Sequence, residues 1–144
     1  MALKVVLDTN IFLHVINREE PFFDSSRTLL DLVDDGRLFG VVSAVSIAEL
    51  SVGYYAAGDE AGLRRFLLHL LSSENYQLVD VDSSVAELAG KIRNETGLRL
   101  PDAFIVASGL KVGAGLVVTI DGEFKKAERI LKSATPSEFL ASFS

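Results

Sequence analysis

Four acidic residues occur where separate segments of the sequence could bring their side chains together. In chain order they are Asp8, Glu49, Asp102 and Asp121. Two carboxylates about 6 Å apart repel each other by roughly 3 kcal/mol at an effective dielectric constant near 20. Four converging acids therefore require a counter-charge. Since the chain has no cysteine and only two histidines, the predicted partner is a hard cation with oxygen ligands, one or two ions of Mg²⁺ or Mn²⁺.

A divalent cation held by carboxylates is suited to phosphoryl chemistry. One ion activates a water for attack on a phosphodiester and screens the developing charge, and a second can stabilise the leaving oxygen. If the four acids converge, the residue types predict a hydrolase that acts on phosphodiester bonds and depends on Mg²⁺ or Mn²⁺.

Each acid also has a purely structural explanation. Asp8 could cap a helix, Asp102 could open one, and Asp121 could begin a turn. Ser46 and Glu49 have the spacing of a capping box. Capping does not require the four acids to meet, so their convergence decides between the structural and the chemical interpretation.

The elements that must position these acids can be read from the apolar periodicity. Apolar runs predict strands at residues 3–7, 39–43, 76–81 and 115–120, and a weaker run suggests a fifth at 130–134. Helical patterns separate them, at residues 11–16, 25–35, 47–54, 63–71, 85–97, 101–107 and 136–143. Strands that are apolar on both faces and alternate with helices predict an α/β fold, with a parallel sheet of four or five strands and helices on both faces.

The predicted sheet brings the acids to one edge. In open parallel sheets, ligands bind beyond the carboxyl ends of the strands. Asp8 follows the first predicted strand, Glu49 lies in the helix after the second, and Asp121 ends the fourth. Asp102 opens a buried helix after Pro101. The fold class therefore favours one shared site.

Composition limits the class of protein and its partners. The chain has 144 residues, a mean hydropathy of +0.32 and no long uncharged apolar run, so we expect one domain over residues 1–144, soluble, cytoplasmic and without a membrane partner. Its net charge of −6 disfavours broad binding to nucleic acid. Four basic residues near the acids could nevertheless contact phosphates, or could simply be solvated: Arg93, Arg99, Lys125 and Lys126.

Four segments together carry a specific set of motifs. They are Val6-Leu7-Asp8-Thr9-Asn10, Ser46-Ile47-Ala48-Glu49-Leu50, Leu100-Pro101-Asp102-Ala103 and Val118-Thr119-Ile120-Asp121. Their order and separation resemble those of the PIN domain family, and more narrowly of VapC-type toxin ribonucleases. The resemblance covers nearly the whole chain and implies a magnesium-dependent endoribonuclease.

The resemblance also implies roles and partners. Asp8, Glu49, Asp102 and Asp121 would be the catalytic and metal-binding acids, with Asp8 and Asp102 the best candidates for direct ligands. Thr9, Asn10 and Thr119 would orient carboxylates or waters from behind the ligands. The implied partners are RNA, a small antitoxin protein and a second copy of the chain. The alternative is a catalytically silent PIN-like module that only binds RNA or protein.

Overall fold

A five-stranded parallel sheet forms the centre of the computed structural model, which describes residues 2–143. Met1 and Ser144, the two ends of the predicted domain, lie outside the described residues. The strands are β1 (Leu3–Leu7), β2 (Leu38–Ser43), β3 (Tyr76–Val79), β4 (Leu116–Val118) and β5 (Lys132–Ala134). Both the predicted α/β class and the fifth strand are confirmed.

Seven α-helices connect and cover the strands within residues 2–143. They are α1 (Thr9–Ile16), α2 (Phe23–Asp34), α3 (Ala44–Ala56), α4 (Glu60–Ser72), α5 (Ser83–Thr96), α6 (Leu100–Lys111) and α7 (Pro136–Ser142). A 3-10 helix, Gly122–Ala127, follows β4. The sequence suggested only a turn at Asp121, because the two buried residues of this short helix, Phe124 and Ala127, are too few to mark an apolar period.

Two hydrophobic cores hold helices on both faces of the sheet. On one face, Val6 of β1 belongs to a buried cluster with α5, α6 and the 3-10 helix. On the other face, Val5 and Leu7 belong to a cluster with α1, α2, α4 and α7. Successive strand residues point to opposite faces, so a central strand buried on both sides is apolar throughout. The predicted coverage of both faces is confirmed.

The strand order places Asp8 at a topological switch point, where the connections from neighbouring strands run to opposite sides of the sheet. The order is β3-β2-β1-β4-β5, so the chain leaves β1 toward β2 on one side and returns to β4 on the other. The backbone amide of Asp8 continues the ladder by donating to the carbonyl of Val118 at 3.1 Å. In open α/β sheets such a switch opens a crevice in which ligands bind.

The predicted element ends differ from the observed ones in small ways. β4 is shorter than residues 115–120, because its pairing with β1 and β5 spans only Leu116–Val118. In α4, Leu63 and Leu70 are buried as the period predicts, whereas Leu71 remains 69% exposed. None of the helices described is long and apolar enough to cross a membrane.

Candidate active site

Asp8 lies buried where β1 passes into α1. Its carboxylate accepts three hydrogen bonds: from the Thr9 backbone amide at 2.8 Å, the Thr119 hydroxyl at 2.7 Å and the Asn10 side-chain amide at 3.0 Å. The side chain thus caps α1, as the structural interpretation expected. It also lies at the centre of the carboxyl edge, so the two interpretations do not exclude each other for this residue.

Thr119, just after β4, connects two of the acids. Its hydroxyl donates to Asp8 and accepts from the backbone amide of Asp121 at 2.9 Å and from the Asn10 amide at 3.3 Å. A hydroxyl has one proton to donate and two lone pairs, so all of its capacity is used. The orientation of Asp8 is therefore coupled to the loop that carries Asp121.

Glu49 reaches this edge from the second turn of α3. The Thr9 hydroxyl donates to its Oε1 at 2.6 Å, and the buried Ser46 hydroxyl lies 2.8 Å from the same Thr9 oxygen. Ser46 and Glu49 do not form a capping box, which corrects the structural alternative. Ser43 caps α3 instead, by accepting from the Val45 amide at 3.1 Å.

Asp102 stands in the first turn of α6 and pairs with an arginine. Arg99, three residues earlier, donates from Nε at 3.2 Å and from Nη2 at 3.0 Å to Asp102 Oδ2. The same Nη2 lies 3.5 Å from Asp121 Oδ2. Asp121 itself caps the 3-10 helix by accepting from the Glu123 amide. The i, i+3 spacing of Arg99 and Asp102 was a visible signal of this pair, whereas the predicted alternatives for Arg99 were a contact with phosphates or a solvated side chain.

Electrostatics joins the four acids into one cluster. Burial raises the pKa of Asp8, the hydrogen bonds from Thr119 and Thr9 lower it, and the charges of Asp102 and Glu49 raise it, so that its pKa is about 6. Burial also raises the pKa of Asp102, against the opposing effect of Arg99, and the charges of Asp121 and Glu49 add to that rise. These acids therefore repel one another across elements distant in sequence.

The types of donor atom at this edge suit a hard cation, although the acidic side chains do not converge on a single point. Among residues 2–143, no group of three or more histidine or acidic side chains is close enough together to hold a metal ion. The available donors are nevertheless all oxygens, and Asn10 Oδ1 is a buried acceptor that has no hydrogen-bond partner within the described range 2–143. A buried carboxylate with a raised pKa and an unsatisfied acceptor beside it both gain from a cation. The chemistry of these donors therefore suits a hard divalent cation.

The basic residues predicted to contact RNA all have partners in the structure. Arg93 donates to the carbonyls of Gly97 and Leu98. Lys125 lies 3.5 Å from Glu128, and Lys126 pairs with Glu123 at 2.6 Å. The lysine side chains are about half exposed. Since exposed ion pairs are typically worth about 0–1 kcal/mol, these contacts do not prevent binding to phosphates.

The family follows from a comparison of the whole sequence. A family model described as the PIN domain matches residues 5–130. The chain belongs to the PIN domain family. A search among curated proteins finds no match to the sequence.

Solved structures share the fold of this PIN domain. A toxin–antitoxin complex from Klebsiella pneumoniae has 21% identity and a TM-score of 0.69, covering 92% of this chain and 97% of the other. VapBC2 from Rickettsia felis, bound to a DNA fragment from its promoter, has 22% identity and a TM-score of 0.71, with 92% and 98% coverage. VapC20 from Mycobacterium tuberculosis, a toxin that cleaves the sarcin-ricin loop, has 17% identity and a TM-score of 0.68, with 85% and 94% coverage.

Proposed function

We propose that this PIN domain is an endoribonuclease that depends on Mg²⁺ or Mn²⁺ and cleaves RNA phosphodiester bonds. The main support for the proposal is the electrostatic cluster at the carboxyl edge, where burial and the charge of Glu49 raise the pKa of both Asp8 and Asp102. A chain that retains such repulsion beside a topological switch has a use for a divalent cation there.

The proposed roles are those that the resemblance to PIN domains implies. Asp8 and Asp102 would hold the metal directly, and Glu49 and Asp121 would supply the remaining negative charge of the metal site. When bound, the ion supplies an activated water and screens charge on the phosphate. Thr9 fixes the Glu49 carboxylate, and Thr119 and Asn10 fix that of Asp8. Arg93, Arg99, Lys125 and Lys126 would contact phosphates flanking the cleaved bond.

We also propose a biological setting for this activity. The similar folds include a toxin–antitoxin complex and VapBC2, so the expected partner is a small antitoxin protein that blocks the toxin in the cytoplasm, where its RNA substrate lies. The chain would act as a homodimer. A short reading frame for a DNA-binding protein directly upstream of its gene would support the antitoxin.

Cleavage of single-stranded RNA by the purified protein tests the proposed activity. We expect cleavage with Mg²⁺ or Mn²⁺ and none with EDTA, and a loss of roughly a hundredfold or more in Asp8→Asn and in Asp102→Asn. Asp35→Asn is the matched control, because it makes the same charge change at the exposed end of α2 and should keep full activity.

The competing function is a silent module that binds RNA or protein without cleaving it. The ion pairs that Arg99 forms with two of the acids favour that alternative, since they provide a counter-charge without a metal. RNA binding without cleavage in either metal would support the silent module. Equal cleavage by the wild type and both active-site variants would indicate a contaminating nuclease and contradict the proposed function.

A further inference from the structure

Arg99 provides the only lysine or arginine ion pairs to the four acids within residues 2–143. Both of its hydrogen bonds to Asp102 are accepted by Oδ2 of that residue, and its ion pair with Asp121 is made to Oδ2 of Asp121. One guanidinium thus bridges two carboxylates that belong to different elements, α6 and the loop after β4. Within residues 2–143 this guanidinium thus supplies positive charge between the two acids.

The ion pairs of Arg99 with Asp102 and Asp121 can break with little loss of free energy. The side chain of Arg99 is 67% exposed, whereas that of Asp102 is 8% exposed. Arg99 itself sits just before α6 and makes no side-chain cap to the helix, so its departure leaves the helix start intact. The arginine gains little from the pair, because water screens its exposed charge and its long side chain loses conformational freedom. A divalent cation at Asp102 would out-compete a single guanidinium charge.

We propose that Arg99 is a displaceable counter-ion of the acidic cluster, which bridges Asp102 and Asp121 in the metal-free protein and leaves them when a divalent cation binds. The inference rests on the proposed metal site. Its consequence is that Arg99 sets the metal affinity: the protein binds the cation less tightly than its carboxylates alone would allow. Without metal, the bridge reduces the repulsion that Asp102 and Asp121 exert on each other.

Titration calorimetry with Mn²⁺ measures this effect directly. Arg99→Gln should bind Mn²⁺ about three- to tenfold more tightly than the wild type, the ratio expected for loss of one or two ion pairs in which the arginine is exposed. Arg64→Gln, which makes the same charge change where the guanidinium contacts the Tyr55 hydroxyl on another face, should bind like the wild type. Equal affinities in all three proteins would overturn the displacement and leave the metal site standing.

Nitrogen NMR of the arginine side chains distinguishes displacement from a general charge effect. Adding Mg²⁺ to the wild type should shift the Arg99 Nε–Hε signal and speed its exchange with water, while the Arg64 signal stays unchanged. An unshifted, protected Arg99 signal at saturating Mg²⁺ would show that the guanidinium stays on Asp102, and would overturn the inference. If neither the wild type nor Arg99→Gln binds Mn²⁺ at all, the metal site itself fails, and with it the proposed function.

Discussion

Asp8 shows how a single residue connects stability and function. Its carboxylate is 5% exposed and accepts three hydrogen bonds, and burial still raises its pKa to about 6. An acid whose pKa is higher in the folded state than in the unfolded chain destabilises the fold when ionised. That cost is absent below the unfolded pKa near 4, grows as pH rises, and is complete above about pH 6.

Replacing Asp8 tests this linkage in the metal-free protein. At pH 7 the free energy of unfolding of Asp8→Asn should equal that of the wild type or exceed it by up to about 2 kcal/mol. This gain in stability should vanish near pH 4. The measurement is urea unfolding in EDTA across this pH range. A large loss of stability at pH 7 would instead assign Asp8 to helix capping alone.

The ionisation of Asp8 also sets a lower pH limit for metal binding. A carboxylate must lose its proton to bind a cation, so the Mn²⁺ affinity of the wild type should fall as pH drops through about 6. Calorimetric titrations at pH 5, 6 and 7 would show the decline. An affinity that is flat down to pH 5 would mean that Asp8 is not a ligand.

Thr119 is the residue on which the orientation of Asp8 depends most. Thr119→Val keeps the shape and removes the hydroxyl that donates to Asp8 and accepts from the amide of Asp121. We expect a loss of about 1–3 kcal/mol at pH 7, since buried polar partners lose their bonds, and a further rise in the pKa of Asp8. Thr28→Val, which removes an exposed hydroxyl on α2, is the control and should change the unfolding free energy little. Equal stability of both variants would contradict this role.

At the scale of elements, the position of Asp102 depends on how closely α6 approaches the sheet. A Cβ added at Gly109 would collide with Val6 of β1 and would lie 3.2 Å from Leu131. Gly109→Ala should therefore destabilise the protein by about 1–3 kcal/mol and weaken Mn²⁺ binding, because the helix that carries Asp102 must move. Thermal unfolding and calorimetry measure the two effects.

A second glycine provides the matched control for this packing. A Cβ at Gly90 on α5 meets nothing within 4 Å, so Gly90→Ala should stabilise by about 0.5–1 kcal/mol through helix propensity alone. Its Mn²⁺ affinity should equal that of the wild type. If Gly109→Ala behaved in the same way, the close contact between α6 and β1 would not be what positions the site.

The elements were largely predictable from the sequence, for a physical reason. Strands such as Leu3–Leu7 are buried on both faces and are apolar in a continuous run, and helices such as α4 bury a periodic stripe. The 3-10 helix at Gly122–Ala127 was missed, since it is held by the Asp121 cap and by packing of Phe124. The start of α3 was also misplaced, because Ser43 rather than Ser46 caps it.

The site was predictable in part. The strand order of a parallel sheet brings residues that follow its strands to one edge, so Asp8, Glu49 and Asp121 could be grouped from their positions alone. The bridge made by Arg99 and the unpaired oxygen of Asn10 depend on side-chain directions within one crevice. Apolar periodicity carries no information on such contacts.

At the scale of the whole molecule, the acidity of the protein predicts a weak dependence on salt. With a net charge of −6 and four proposed phosphate contacts, few counterions are released when the protein binds single-stranded RNA. The logarithm of kcat/KM should fall against the logarithm of salt concentration with a slope of about −3 or shallower. Cleavage assays at fixed free Mg²⁺ give this slope. A much steeper one would require a basic surface that lies elsewhere.

Diffraction from a crystal soaked in Mn²⁺ tests the central claim most directly, because the anomalous signal locates the ion independently of activity. We expect a Mn²⁺ peak bounded by the carboxylates of Asp8 and Asp102, with the guanidinium of Arg99 turned away. A crystal at saturating Mn²⁺ with no peak there, and with Arg99 still bridging Asp102 and Asp121, would contradict it.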